Sequence, residues 1–323
     1  MADKTLKSLN FGGADNYFPL PIISTNDNDN ILVVADGEWV AKSPNDITGQ
    51  YVWSKKDSAD GPVTGYVISN DGEKYPDGGW KDGIYYTLEL EPKLPYLSFI
   101  GNEDFTLKTG NATKNWDGTL EYSTDKSTWN TWNGTEISSA GSKLYLRGTG
   151  NTKITGNTSK YRFVFTGTST LKIACKGNIE NLLDYETVSA GGHPTMAFIC
   201  YGFMFHGCTA LTTAPELPAT TLAGYCYNAM FYGCTALTTV PELPATTLTT
   251  CCYESMFSRC TNIKLSTTQT GEYQTAYRIP KSGTGTTSTD ALNYMFNNTG
   301  GTFTGTPSIN TTYYTSNTVV KKK

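Results

Sequence analysis

The chain has 323 residues, of which 17% are charged, and its formal net charge at pH 7 is -4. Because single hydrophobic cores stop growing well below this length, we expect several domains. Basic residues do not cluster apart from Lys321, Lys322 and Lys323, which argues against a nucleic acid partner, because such a partner needs a cationic surface. Abundant Thr, Gly, Asn, Ser and Tyr favour short strands and turns, and therefore a mostly β, multi-domain fold.

Hydropathy bears on where the protein resides. No run of about 18 apolar residues occurs in the sequence, so we expect no membrane span. The first seven residues contain no apolar segment, so we expect no secretory signal peptide. The protein is therefore expected either to stay inside the cell that makes it or to leave as part of an assembly released by lysis.

Residues 1–45 are interpreted as an extended anchoring arm. Pro19 and Pro21 exclude a helix and a central strand, because proline lacks a backbone donor. The segment has too few apolar residues for a core of its own. Its candidate anchor residues, which we expect to dock on another protein, are Phe11, Tyr17, Phe18, Leu20 and Ile22. A strand pair packed on the next module is an equally supported alternative.

Residues 46–92 predict a small β module. Apolar and aromatic runs at 51–53, 65–68 and 83–88 predict strands, and Asp71-Gly72 is typical of the turn that closes a hairpin. The aromatic residues are expected to pack a small core rather than to form a ligand cage.

Two segments of this half resemble phage proteins. A short module common in phage and prophage tail and structural proteins is similar to residues 65–86, which include Tyr75-Pro76-Asp77-Gly78-Gly79. N-terminal leaders of virion proteins in phages of gut Bacteroidales are similar to residues 9–39, which begin with Leu9-Asn10-Phe11-Gly12-Gly13. The resemblance implies that residues 1–92 bind other virion proteins, in the capsid or the tail.

Residues 93–178 predict an immunoglobulin-like β-sandwich. Strands are predicted at 96–100, 120–123, 143–147, 161–165 and 171–174. Leu144 and Leu146 alternate with Lys143, Tyr145 and Arg147, so the leucines are expected inside and the other three outside. Trp116, Trp129 and Trp132 are expected in the core rather than stacked on sugars.

Residues 179–300 contain a repeat. The segment 200–211 recurs at 226–237 and, less well kept, at 252–263, with a step of 26 residues. A period in the twenties predicts a short leucine-rich-repeat solenoid of α/β coils. Cys226, Met230 and Cys234 are spaced i, i+4 and i+8, which predicts a short helix, and residues 237–240 predict the strand of the unit.

The repeat also predicts which residues are buried and which are free to bind. Its cysteine columns are expected to be buried apolar fillers, not zinc ligands, because no C-x2-C pair occurs. No cofactor and no metal is expected. The positions that differ between units are 202/228/254, 203/229/255, 206/232/258 and 207/233/259, and we expect them to be exposed. The candidate partner-binding face taken from them is His206, Asn228, Tyr232, Glu254 and Arg259; neutral drift is the alternative. Residues 290–296 are expected to cap the array, and residues 301–323 to form a C-terminal tail.

The best-kept repeat resembles a known family. Residues 230–239, followed by Pro241-Glu242-Leu243-Pro244-Ala245-Thr246-Thr247-Leu248, are similar to BspA-type leucine-rich repeats of bacterial surface proteins. Such repeats, often preceded by a sandwich containing Leu120-Glu121-Tyr122-Ser123-Thr124, occur in proteins of Bacteroides and in virion fibre or decoration proteins of their crAss-like phages. The resemblance implies adhesion.

Catalytic patterns are missing from the sequence. No carboxylate pair stands out for glycoside hydrolysis, and only His193 and His206 could serve a catalytic triad. We therefore expect no enzyme. The resemblance to phage proteins, together with the missing signal peptide, implies a virion structural protein, a head or tail fibre or decoration exposed on the phage particle. Its C-terminal domains would bind a host-surface glycan or protein, and a homo-oligomer is expected, with a trimer favoured. The alternatives are an exported bacterial cell-surface adhesin and, third, a polysaccharide depolymerase.

Overall fold

The computed structural model describes residues 94–316 with their side chains and, before residue 94, only the backbone of seven strands. The chain divides into two compact units, Met1–Pro92 and Lys93–Lys323. It is mostly β, with several small sheets, none of them closed. This confirms the predicted fold class at that level.

The first unit holds three small antiparallel sheets. Their strands are β1 (Ser8–Asn10) with β2 (Tyr17–Pro19), β3 (Ile31–Ala35) with β4 (Glu38–Lys42), and β5 (Tyr51–Lys56) between β6 (Val63–Ile68) and β7 (Tyr85–Leu90). Of the candidate anchor residues, Tyr17 and Phe18 lie in β2, opposite Asn10 and Leu9. Phe11, Leu20 and Ile22 lie outside the described residues.

The second unit begins with two packed sheets. The larger has six strands in the order β11 (Asn130–Trp132), β10 (Thr119–Ser123), β13 (Lys143–Thr149), β8 (Leu97–Gly101), β15 (Ile173–Lys176) and β16 (Leu211–Thr213). The smaller has three, in the order β12 (Ile137–Ser138), β9 (Thr106–Thr109) and β14 (Phe163–Thr166). Their pairings are antiparallel except that of β15 with β16, which is parallel.

Aromatic and aliphatic side chains fill the space between these sheets. Leu144 and Leu146 are fully buried, as predicted. Tyr145 was expected outside, but it is buried because the Tyr96 ring covers it at 5.2 Å between centroids. The rings of Trp116 and Trp132 stack in the core, 5.1 Å apart, which confirms the core prediction for both.

The core prediction is wrong for Trp129. Its side chain is half-buried on the outer face of the larger sheet. The guanidinium of Arg147 lies 4.1 Å from its ring centroid and also bonds the Glu121 carboxylate at 2.8 Å. A cation held over an aromatic face replaces burial in the core as the stabilising contact.

One α-helix, α1 (Asn181–Ser189), occurs in the described part of the chain, besides a turn of 3-10 helix at Ser159–Tyr161. It follows the two sheets and packs on β13. Asn151 fastens this junction, since its buried amide donates to the carbonyl oxygens of Thr119 and Leu182 and its own oxygen accepts from the N–H of Gly118.

The predicted repeat forms a stack of four coils, but the predicted helices are wrong. The outer part of each coil is a ribbon of consecutive turns, here called the turn segment, at residues 199–208, 225–234, 251–260 and 290–299. Every fourth residue has a left-handed φ between 48° and 72°. These residues are Ile199, Phe203 and Gly207, then Tyr225, Ala229 and Gly233, then Cys251, Ser255 and Arg259, then Asp290, Tyr294 and Asn298.

Backbone hydrogen bonds explain why this conformation is stable. Within the first turn segment, alternate N–H groups donate to the carbonyl three residues earlier; Met204, for example, donates to Tyr201 at 3.1 Å. The N–H groups between them donate to the next coil; Tyr201 and Phe203 donate to Cys226 and Asn228 at 2.8 and 2.9 Å. A helix would keep all these bonds within itself. Here about half of them join one coil to the next.

Side chains in the turn segments point inward and outward in pairs. The inward pairs stack as columns; the Phe205, Phe231, Phe257 and Phe296 rings are parallel within 7° and spaced 5.4 to 5.6 Å apart. Burial of the cysteine columns is confirmed, and all eight thiols are free. Cys234 and Cys260 also donate S–H bonds to the carbonyl oxygens of Phe205 and Phe231, at 3.1 and 2.9 Å.

The coil stack continues the core of the two sheets. β16 of the first coil pairs with β15, and the N–H of Phe163 in β14 bonds to the Met204 carbonyl at 2.7 Å. Residues 237–240, predicted as a strand, are not one. One hydrophobic cluster runs from β8 through all four coils, across the predicted boundary at 178/179.

The far end of the stack is covered by short strands. These are β17 (Thr247–Leu248) with β20 (Thr286–Thr287), and a sheet in the order β19 (Tyr273–Arg278), β22 (Thr312–Ser316), β18 (Lys264–Ser266) and β21 (Gly300–Gly301). The segment 290–296, predicted as a cap, stacks as the fourth coil. Part of the predicted C-terminal tail therefore belongs to this cover, since β22 lies within it.

Candidate functional site: a cleft on the outer face of the coils

The outward residues of the turn segments form a cleft of about 390 Å³. Its shape follows from one column of left-handed positions, which holds Phe203, Ala229, Ser255 and Tyr294 in successive coils. In this column the second and third coils have small side chains, whereas the first and fourth coils have aromatic ones. The column therefore forms a notch between rings, and the floor of that notch lines the cleft.

Aromatic residues form the walls. On one side the imidazole of His206 lies on the ring of Tyr232, with centroids 4.8 Å apart and planes within 2°. Arg259, on the next coil, places its guanidinium 5.5 Å from the Tyr232 ring centroid. On the other side Tyr225 contacts Phe198, whose ring is 62% exposed.

Polar groups converge on the same floor. The amide of Asn228 donates to the Glu254 carboxylate at 3.0 Å, which joins neighbouring coils. Asn157 reaches the cleft from the loop that follows Thr155, and Ser255 adds a hydroxyl. A largely apolar cleft with a few placed polar groups is the usual form of a small-molecule site.

Burial and charge differ along the cleft. Burial and, to a lesser extent, the positive charge of Arg162 lower the pKa of His206, so its imidazole is neutral at pH 7. At the opposite wall, a hydrogen bond with Cys251 raises the pKa of the Tyr225 phenol, and the negative charge of Glu254 adds to this effect. The cleft thus offers neutral donors and acceptors beside one carboxylate.

The structure brings together most of the residues predicted for partner binding. His206, Asn228, Tyr232 and Glu254 all line the cleft, and Arg259 lies just beyond Tyr232. The expectation that the variable positions are exposed is wrong for three of them, because Gly202, Ala229 and Ser258 are buried.

Sequence reasoning missed three lining residues. Ile199 and Tyr225 precede the repeat as it was delimited, and starting each unit one residue earlier would have included them. Asn157 comes from outside the repeat, so no repeat pattern could have found it.

No three His, Cys, Asp or Glu side chains among residues 94–316 lie close enough together to hold a metal ion. No helix in that range is long and apolar enough to cross a membrane.

No family model matches the sequence, and no curated protein or solved structure is significantly similar to it. Function must therefore be inferred from the cleft and from the sequence resemblance.

Proposed function

We propose that the chain is a non-enzymatic virion structural protein, a head or tail fibre or decoration, whose second unit attaches to a host-surface glycan or protein. The observation that carries this proposal is the cleft. It combines half-buried aromatic rings with amide and carboxylate groups on a backbone whose coils are bonded to one another. Binding sites on rigid elements hold their side chains more accurately than sites on loops.

The proposed protein has two specific folds in its second unit, an immunoglobulin-like sandwich and a leucine-rich-repeat array. The two packed sheets at 94–178 support an immunoglobulin-like sandwich, although the parallel pairing of β15 with β16 adds a strand from the first coil. The 26-residue step and the stacked side-chain columns support a BspA-type leucine-rich-repeat array.

Anchoring to the particle rests on the sequence. The resemblance of residues 9–39 and 65–86 to phage proteins supports attachment of the N-terminal unit to capsid or tail proteins. A homotrimer fits the cyclic symmetry common among assemblies on virions. The exposed location on the particle follows from the same order of modules, with the anchor first and the coil stack last.

The non-enzymatic part is supported by the lining of the cleft. Glycosidases use two carboxylates on either side of the scissile bond. Among the described residues that line the cleft, Glu254 is the one carboxylate. A polysaccharide depolymerase is therefore the weakest alternative, and release of reducing sugar from host capsule would revive it.

An exported bacterial adhesin is the stronger alternative, because it would use the same cleft. Location separates the two. Antibodies against residues 180–300 should label purified phage particles in immuno-electron microscopy, at the head or the tail. Label on bacterial envelopes and none on particles would overturn the virion proposal and favour the adhesin.

A further inference from the structure

The notch in the cleft has the shape of a site for a flat ring. Ala229 and Ser255 form its floor with Phe203 beside them, and all three line the cleft. Tyr294 occupies the same column position on the fourth coil, outside the lining of the cleft. Tyr294 is 54% exposed. The buried phenylalanine rings show that successive coils lie 5.4 to 5.6 Å apart. Because Ala229 and Ser255 are both small, the column lacks a ring on two successive coils.

The polar groups beside the notch suit hydroxyls. The amide of Asn228 donates to the Glu254 carboxylate at 3.0 Å and to the Glu254 backbone carbonyl at 3.5 Å. An amide and a carboxylate together present donors and several acceptor lone pairs within a few ångströms. Neighbouring hydroxyls on one sugar ring can donate to the Glu254 carboxylate and to the Asn228 amide oxygen, while the C–H face of the ring covers apolar surface.

Other occupants fit less well. A peptide strand binds by pairing with free backbone groups, but the turn segments around the notch bond their N–H groups within the coil or to its neighbour. An anionic ligand would meet the carboxylate of Glu254, whereas no lysine or arginine lines the cleft among the described residues.

We propose, building on the attachment function above, that the cleft binds a neutral glycan. One sugar ring lies on Ala229 and Ser255 beside Phe203, and its hydroxyls bond to Asn228 and Glu254. The repeat positions that vary between coils therefore determine which sugar fits.

The test is to fill the notch with a side chain that its own column already contains. Ser255→Tyr copies the residue at the next position of the column, Tyr294, and the two share a left-handed backbone, with φ of 56° and 53°. The variant is therefore expected to fold with an unchanged melting temperature. Thr238→Tyr adds the same side chain at an exposed position of the second coil outside the cleft and serves as the control.

Binding of the full chain is measured on an array of neutral hexose and N-acetylhexosamine oligosaccharides with matched uronic and sialic acid oligosaccharides. Hits are then titrated by calorimetry. We expect neutral oligosaccharides to bind, Ser255→Tyr to weaken binding by at least tenfold, and Thr238→Tyr to leave it unchanged. Glu254→Gln should also weaken it about tenfold, because the carboxylate is a stronger acceptor than an amide. Tighter binding of acidic oligosaccharides, or wild-type affinity in Ser255→Tyr, overturns the inference.

A measurement of binding to host cells distinguishes failure of the glycan inference from failure of the proposed function. If wild type and Ser255→Tyr bind cells equally well and no oligosaccharide binds, attachment stands and the glycan cleft is refuted. If wild type does not bind cells and is absent from particles, the proposed function itself is refuted.

Discussion

Replacing Gly233 with alanine distinguishes a ribbon of turns from a helix in one measurement. Gly233 has a φ of 70°, in the left-handed region. A Cβ built there meets nothing closer than the Cα of Gly207 at 3.8 Å, an ordinary contact. The substitution therefore creates no clash, and its effect on stability comes from the backbone conformation alone.

The sign of the change in the free energy of unfolding differs between a ribbon of turns and a helix. An L-residue in the left-handed region costs about 1 to 2 kcal/mol, and alanine recovers less than this, about 0.4 to 1 kcal/mol, by restricting the unfolded chain. We expect Gly233→Ala to lower the free energy of unfolding by about 1 kcal/mol. At a helix interior the same change would raise it by about 1 kcal/mol.

The assay is thermal unfolding of the full chain by calorimetry. A unit of this size should lose about 2 to 4 °C per kcal/mol. Gly271→Ala is the matched control, because a Cβ there meets nothing within 4 Å and its φ lies outside the left-handed region; it should leave the melting temperature equal or slightly higher. At the equivalent column position, Arg259→Gly should be more stable than Arg259→Ala by about 1 kcal/mol. A higher melting temperature for Gly233→Ala would refute the turn geometry.

Three further predictions concern stability. Phe231→Ala removes a fully buried ring between two others at 5.6 and 5.4 Å; it should cost about 3 to 5 kcal/mol in urea denaturation, and a loss below about 1 kcal/mol would mean that the columns do not support the stack. Burial raises the pKa of Cys252 and Cys260 to about 12, well above the value of a thiol in the unfolded chain, about 8.5. The unfolded state therefore loses these protons first, and stability should be complete below about pH 8.5 and fall as pH rises towards 12; a flat profile between pH 7 and 11 would contradict this. Asn151→Ala leaves buried backbone partners unpaired and should cost about 2 to 3 kcal/mol, whereas Asn157→Ala, at an exposed position, should unfold at the wild-type urea concentration.

The strands of the second unit could be predicted because their signal is local. Leu144 and Leu146 alternate with polar neighbours, and period two has one structural meaning when one face is buried. Trp129 departed from the rule because Arg147 and Tyr96 offered its ring contacts outside the core. Such a contact joins residues far apart in sequence, so local patterns do not reveal it.

The turn segments could have been recognised from their spacing alone. Cys226, Met230 and Cys234 recur at intervals of four, whereas a helix turns by about 100° per residue and drifts by roughly 40° over each such interval. Strict fours over three copies therefore favour a four-residue turn over a helix. What the sequence could not reveal is that Tyr225 and Ser255 adopt a left-handed backbone, since such residues avoid it in isolation. Bonds to the neighbouring coils impose it.

Part of the candidate site was predictable for a similar reason. Asn228 and Glu254 differ between repeats whose buried residues are the same. Such positions mark surface that the packing of the coils does not constrain. Their convergence with Asn157 depends on how the first coil docks on the sheets, which requires the fold.

The backbone bonds between coils also affect how this protein can change through genetic duplication. Each coil presents the same row of donors to one neighbour and the same row of acceptors to the other, whatever its outward side chains. A gene segment encoding 26 residues could be copied or lost by unequal recombination, and the new coil would find both partners already in place. The cleft would lengthen or shorten by one coil at a time, so a lineage could alter its reach and selectivity in whole increments without redesigning its interior.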